Sequence, residues 1–320
     1  EKEQADMVYM ILPANSLAAA GDRIKRKMNR TVLVFDILDL WPESLGGKKL
    51  QKLWPFQCWR RLRDDHLKAA DLVITECHYF QKFINAKQEK TAVVYWPKEV
   101  PEGWKMEIPE NKAPENQVPV LESQTASENA DINVGVSTPA VIHFAYLGSI
   151  NNIIDIDGIV NFLEITGKMT PVFLHVVGDG ENRGLFEEKL KSKGIKAEFY
   201  GAVYEEAVKA EIFSRCIFGI NMMKPGVCVG LTMKSIDYFC YGLPLVNNIP
   251  GDTWELVKQE QIGINYRQDA ALKCAQELLA LAQSDRLKEI KYKMQSLYMK
   301  LFTQEAAENV IRERDRKSVV

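Results

Sequence analysis

Short apolar runs and helix-period runs alternate along most of this chain. Apolar runs of strand length occupy residues 7–12, 31–38, 71–76 and 91–96, and a second series occupies 141–148, 172–178, 197–200, 216–222 and 243–247. Helical patterns lie between them, at 157–167, 182–193, 205–214 and 270–283. Strands with no polar alternation belong to parallel sheets covered on both faces, so the pattern predicts an α/β protein. Between the two series, residues 98–138 lose periodicity and are rich in Pro, Glu, Asn and Ser, as a mobile linker or surface insertion would be. The predicted division is a first unit over 1–97, a polar joint over 98–138, a second α/β unit over 139–284, and a C-terminal helix and tail over 285–320. The second unit reads as complete. The first, with four strands and no glycine-rich turn after its first, reads as short.

A chain of 320 residues has room for two cores, and 46% hydrophobic with 26% charged residues is ordinary for a soluble globular protein. The formal charge of −2 argues against bulk nucleic-acid binding, and no apolar run reaches membrane-spanning length. Six cysteines form no CxxC pair and sit mostly in apolar runs, which predicts buried free thiols in a reducing compartment. His143 and His175 lie within strands and are expected to be core histidines; no metal site is predicted. The chain enters a strand-like run almost at once, with no secretory signal. Residues 315–320, Asp-Arg-Lys-Ser-Val-Val, match one reading frame of a common sequencing adapter. The expectation is an N-terminally truncated fragment with a foreign tail; a native polar tail is the alternative.

The most informative segment runs from Gly226 through Gly230, Leu231, Thr232, Lys234 and Asp237 to Gly242 and Pro244. A glycine-punctuated loop enters a short helix, and Gly242 with Pro244 ends it. Such a loop lets backbone N–H groups approach a phosphate, and the helix N-terminus adds a positive dipole. Lys234 and Asp237, three apart, are expected on one face, cation for a diphosphate and carboxylate for sugar hydroxyls. The competing reading is an amphipathic helix with a solvated Lys–Asp pair.

Other segments extend this picture. They are Asp36-Ile-Leu-Asp39-Leu-Trp41-Pro42-Glu43-Ser44, Ala70-Asp71-Leu-Val-Ile-Thr75-Glu76, Tyr146-Leu-Gly148-Ser149, Val177-Gly178-Asp179-Gly180-Glu-Asn182-Arg183 and Phe199-Tyr-Gly201. In this order and spacing the chain resembles glycosyltransferases of the GT-B fold, in particular the large retaining family 4, and within it enzymes that build bacterial surface polysaccharides. The resemblance implies two Rossmann-like parallel-sheet domains facing a cleft, here with the first incomplete. It implies transfer of a sugar from a nucleotide-sugar donor to an acceptor hydroxyl with retained configuration, usually without a metal, and no cofactor. The donor would lie on the second unit and the acceptor, a glycan and often a lipid-linked one, on the first.

Gly148, Ser149, Gly178, Asp179, Gly180, Asn182, Lys224, Gly230, Leu231 and Thr232 are then the expected donor contacts. Arg183 either reaches the diphosphate or caps the surface. Lys234 and Asp237 match a Lys and a Glu of many relatives, and would stabilise charge on the departing nucleotide. The chain departs from the family in three places: Val229 replaces the earlier of two Glu, the loop 149–155 carries no cation, and the glycine-rich acceptor loop is missing. The fragment is therefore expected to bind donor, yet it could be inactive. Asp39, Trp41 and Glu43 either face the acceptor or serve turn and packing roles.

The stretch 48–63 is locally basic and aromatic, with Pro55 expected to interrupt its helix. It suits contact with an anionic membrane, which fits a cytoplasmic enzyme peripheral at the inner membrane face; a helix whose aromatics pack inward is the alternative. A non-catalytic nucleotide-sugar-binding module needing a partner chain is the alternative function. A sugar-nucleotide epimerase would need carboxylates and histidines around the donor sugar, and a dinucleotide oxidoreductase would need a GxGxxG turn after a first strand.

Overall fold

A computed structural model describes residues 5–45, 50–106 and 141–318. The first domain contains β1 (Met7–Leu12), α1 (Ser16–Lys27), β2 (Val32–Ile37), α2 (Trp54–Leu67), β3 (Leu72–Thr75), α3 (His78–Gln81) and β4 (Thr91–Val93). The second runs through β5 (Ile142–Leu147), α4 (Ile156–Gly167), β6 (Val172–Val177), α5 (Arg183–Ser192), β7 (Lys196–Gly201), α6 (Glu206–Ser214) and β8 (Phe218–Asn221). It continues with α7 (Met233–Cys240), β9 (Leu245–Asn247), α8 (Asp252–Glu260), β10 (Gly263–Asn265) and α9 (Ala271–Ala282). Two further helices, α10 (Arg286–Leu301) and α11 (Gln304–Ser318), close the chain.

Both sheets are parallel. The first has the order β1-β2-β3-β4 and the second β10-β9-β8-β5-β6-β7. In the second sheet the chain moves outward from β5 to β7, then returns beside β5 as β8 and continues the other way. The carboxyl ends of β5 and β8 therefore flank a crevice, the place where open α/β sheets bind ligands. Apolar strands buried from both sides account for β2, β3, β8 and β9. β1 differs: its only neighbour among the described residues is β2, and Met7, Tyr9 and Ile11 are exposed.

Several expectations need revision. β10 lies outside the predicted set, because of its three residues only Ile264 is buried. Pro55 does not interrupt a helix; it sits in the first turn of α2, where its missing N–H costs nothing. Residues 98–106, the start of the predicted mobile joint, are packed. Lys98 N–H donates to the Phe302 carbonyl, Trp104 Nε1–H donates to the Cys240 carbonyl, and the Tyr298 hydroxyl donates to the Glu99 carbonyl. The rest of that joint, residues 107–138, lies outside the described residues, as do Lys48, Lys49 and residues 319–320. The C-terminal region is two helices, and α11 returns to the first domain, where Arg314 donates to the Glu89 carbonyl. All six cysteines are free; Cys58 is half-buried and the other five are buried. His175 is a satisfied core histidine between His143 and Tyr200, at 2.8 Å and 2.7 Å.

Candidate functional site

A ladder of asparagines shapes the carboxyl edge of the second sheet. Asn221 ends β8, Asn247 ends β9 and Asn265 ends β10, and their amides bond side to side: Asn221 Nδ2 to Asn247 Oδ1 at 3.0 Å, Asn247 Nδ2 to Asn265 Oδ1 at 2.9 Å. Asn221 also holds the start of α7, accepting from the Thr232 hydroxyl and donating to Ser235. Thr232 caps that helix by accepting from the Ser235 N–H. Asn248 fixes the loop after β8 through the Met223 N–H and carbonyl. Sequence reasoning missed this ladder. Its signal was an Asn closing successive apolar runs, a residue type able to donate and accept at once.

Lys234 stands at the crevice between β5 and β8. Its stem runs beside Gly148, whose backbone takes a positive φ of 115°. Its ammonium lies 4.8 Å from the centre of the Tyr146 ring. The Tyr146 hydroxyl donates to the Ser149 carbonyl, so Tyr146, Gly148, Ser149 and Lys234 form one cluster. Tyr238 pins the two strand ends together, accepting from the Leu147 N–H and facing the Ala145 and Ile220 carbonyls. Lys234 is only 7% exposed, and its Nζ has no hydrogen-bond partner among the described residues. Burial without a counter-charge pushes its pKa down to about 7.

Asp237, three residues on in the same helix, has cationic partners of its own. Its carboxylate meets Lys98 at 2.6 Å and Lys209 at 3.6 Å. From Lys234 to Cys240, α7 is buried on every side, so each residue answers to a different neighbour. A solvated Lys–Asp pair is not what the structure contains.

Gly178 and Gly180 let two loops pack on each other. A Cβ on Gly178 would stand 2.0 Å from the Gly148 carbonyl oxygen, and one on Gly180 would stand 2.6 Å from that of Ile150. The loops are stitched by Gly148 N–H to Val177, Ile150 N–H to Asp179 and Asn182 N–H to Ile150, and by the side chains of Asn182 and Asn152. Arg183 is held in surface ion pairs with Asp179 and Glu187 and lies over Phe199.

Lys224 lies in a cleft of about 790 Å³ between the domains. Glu43, Arg60, Tyr79 and Phe83 line it from the first domain, and Asp155, Asn248 and Tyr266 from the second. Gly230 and Leu231 close the loop against the first domain: Gly230 packs on Tyr79 and Cys77, and Leu231 is buried. Glu43 is buried and already bound by Arg60 and Arg63, so its carboxylate anchors α2. The rings of Trp41 and Trp59 meet at 5.3 Å, tilted by 43°. Asp39 and Asp36 face Glu76, whose pKa burial and these two charges push up to about 7. Among the described residues, no three His, Cys, Asp or Glu side chains gather closely enough to hold a metal, and no helix is long and apolar enough to cross a membrane.

No family model matches the sequence, and no curated protein matches it. Solved structures do match in shape. The Anabaena protein HepE, in complex with UDP, is 14% identical with a TM-score of 0.68, over 98% of this chain and 79% of that one. The lipopolysaccharide outer core galactosyltransferase WaaB is 15% identical with a TM-score of 0.62, over 99% of this chain and 76% of that one. HepE is also known in complex with UDP-glucose, at a TM-score of 0.63 and 14% identity over 98% of this chain and 78% of that one.

Proposed function

With the GT-B fold as premise, we propose that this chain takes a nucleotide diphosphate sugar on its second domain and transfers the sugar to an acceptor hydroxyl presented by the first. The observation that carries this reading is Lys234. A buried ammonium with no counter-ion among the described residues, beside the Gly148-Ser149 turn and one residue inside the start of α7, is a site prepared for an anion. A diphosphate supplies that anion, and charge grows on it as the sugar leaves. Lys234 and the first N–H groups of α7 would meet that charge. The departing phosphate can take the acceptor proton, which fits retention of configuration. The UDP and UDP-glucose held by HepE make uridine nucleotides the first donors to test. The likeness to WaaB, a lipopolysaccharide outer core galactosyltransferase, favours a role in surface-glycan assembly.

The test is a thermal-shift series with UDP, GDP and CMP and their common sugar conjugates. A ligand that binds only the folded state raises its melting temperature by mass action. One nucleotide class should shift the melt. A folded protein indifferent to every nucleotide would refute the reading.

The acceptor side fits a lipid-linked glycan at an anionic membrane. At the start of α2, Trp54 is 77% exposed, and Lys52, Leu53 and Arg61 are exposed around it. An aromatic and an aliphatic side chain among cations suit the headgroup boundary. The protein should co-sediment with phosphatidylglycerol vesicles several-fold better than with phosphatidylcholine vesicles, and Trp54→Ala should remove most of the difference. Equal recovery on both vesicle types would count against membrane contact.

A further inference from the structure

An anion site at Lys234 works only if the ammonium and the start of α7 keep one geometry. On that reading, we infer that Asn221 is the positioning residue for Lys234, acting through a closed ring of hydrogen bonds with Thr232 and Ser235.

Backbone groups fix the direction of every bond in it. The Ile249 N–H donates to Asn247 Oδ1 at 3.2 Å, and Asn247 Nδ2 donates to the Ile249 carbonyl at 3.0 Å, so that amide has one orientation. Asn265 Nδ2 donates to the Trp254 carbonyl in α8, which sets the outer rung of the ladder. Asn247 Oδ1, an acceptor, then faces Asn221 Nδ2. This leaves Asn221 Oδ1 to take the Thr232 hydroxyl hydrogen at 3.0 Å. The Thr232–Ser235 contact at 2.6 Å must therefore use the Ser235 hydrogen, and the Ser235 oxygen accepts from Asn221 Nδ2 at 2.9 Å. The three side chains close a ring in which every hydrogen points the same way round, and none of their buried polar atoms is left unmet.

The ring brackets the cation. Thr232 and Ser235 are its two members at the start of α7, and Lys234 lies between them in sequence. One turn further on, the Tyr238 hydroxyl ties the helix to the ends of β5 and β8. A Cβ on Gly219 would stand 2.6 Å from the Tyr238 ring, so helix and strand are in direct contact there. With both points held, the Lys234 stem has one course, past Gly148 to the Tyr146 ring. Asn221, Ser235 and Asn247 are 0% exposed, so none of them can touch a ligand. Replacing bonded polar groups by apolar ones of the same shape costs little net stability, whereas a fully met buried network specifies a single arrangement. The contribution of this ring is therefore orientation: it sets the first turn of α7 on β8, and through that turn the place of the ammonium.

Two variants open the ring. Asn221→Asp keeps the size of the side chain but sets an oxygen against Asn247 Oδ1. Ser235→Ala removes a single hydroxyl, which covers the case that Asn221→Asp perturbs folding. NMR of the whole chain carrying ¹³C-labelled lysine follows the titration of Lys234, whose signal is the one missing from Lys234→Met. In the wild type it should titrate at about 7. In Ser235→Ala a loosened first turn admits water to the ammonium, and the titration should move up by at least about one pH unit. At pH 6.5, where Lys234 is mostly charged in both proteins, the nucleotide found by thermal shift should bind the variant about tenfold more weakly. Thr166→Val is the control: it removes another buried hydroxyl, one that donates to the Phe162 carbonyl within α4. It should lower the melting temperature and leave both the titration and the nucleotide affinity as in the wild type. A Lys234 that titrates alike in the wild type and Ser235→Ala, or that moves as far in the control, would overturn the inference. If no nucleotide bound the wild type, the donor reading would fall, and the titration alone would still decide whether the ring positions Lys234.

Discussion

A Lys234→Met protein is expected to be more stable than the wild type without ligand, and unresponsive to nucleotide. The reason is the cost of the buried ammonium. In the unfolded chain Lys234 holds its proton up to its ordinary value of 10.5, whereas in the folded chain it holds it only to about 7. Between those limits the unfolded state binds more protons, so the folded state gains stability as pH rises from about 7 to 10.5; below about 7 the full penalty applies. A gap of that size corresponds to roughly 4–5 kcal/mol, against which the contact with the Tyr146 ring returns about 1–2 kcal/mol. Methionine keeps the unbranched stem beside Gly148 and removes the charge. At pH 7 the variant should therefore be more stable by on the order of 2–3 kcal/mol, a rise of several degrees in Tm. The advantage should narrow steadily toward pH 10. The same substitution removes the cation proposed to meet the diphosphate, so the nucleotide shift should disappear and turnover should fall by at least about a hundredfold. Melts of both proteins across this pH range provide the check. If the variant were less stable at every pH, with a parallel profile, Lys234 would not be an unpaired buried cation.

Much of this site was legible in the sequence because it depends on local features. Gly148 ending a strand, the loop leading to Thr232, Lys234 in the first turn and Gly242 ending the helix all follow from short-range chemistry, and the structure places each there. What the sequence hid depends on residues far apart. The ion pairs of Asp237 were hidden because its partners Lys98 and Lys209 come from a loop and a helix elsewhere in the chain. The close approach that Gly178 and Gly180 permit to the backbone of residues 148–150 was hidden for the same reason. β10 was invisible because three residues with one buried side chain make no pattern. Its Gly263 fits because any side chain would meet the Leu245 carbonyl oxygen at 2.1 Å.

The second large effect is expected at Asp252, where the two domains are fastened. Asp252 opens α8 in the second domain, and its side chain is 2% exposed. Every hydrogen bond it accepts here comes from the first domain: the His78 and Tyr79 backbone N–H groups at 2.9 and 2.8 Å, the Tyr95 hydroxyl at 2.8 Å and the His78 ring at 2.8 Å. Burial pushes its pKa up, but these bonds outweigh burial and leave it below the ordinary value. The neighbouring packing has no slack. Side chains on Gly230 or Gly251 would each meet Tyr79 at 2.6 Å, and Thr253 holds the Gly230 carbonyl through both its N–H and its hydroxyl. Asp252→Ala would take the acceptor from two backbone donors at the interface and leave the Tyr95 hydroxyl only the His78 ring, a loss on the order of 3–5 kcal/mol. The domains should then separate more readily, with a larger radius of gyration in X-ray scattering. The proposed donor residues around Lys234 all lie on the second domain, so the nucleotide response should persist while transfer to an acceptor collapses. Acid should act in the same direction. The contribution of the carboxylate is present above its unfolded pKa and is lost as pH falls through the lower folded value, so the wild type should open at low pH, where the variant is already open. A variant whose scattering and melt superimpose on those of the wild type would show that the domains are held together elsewhere.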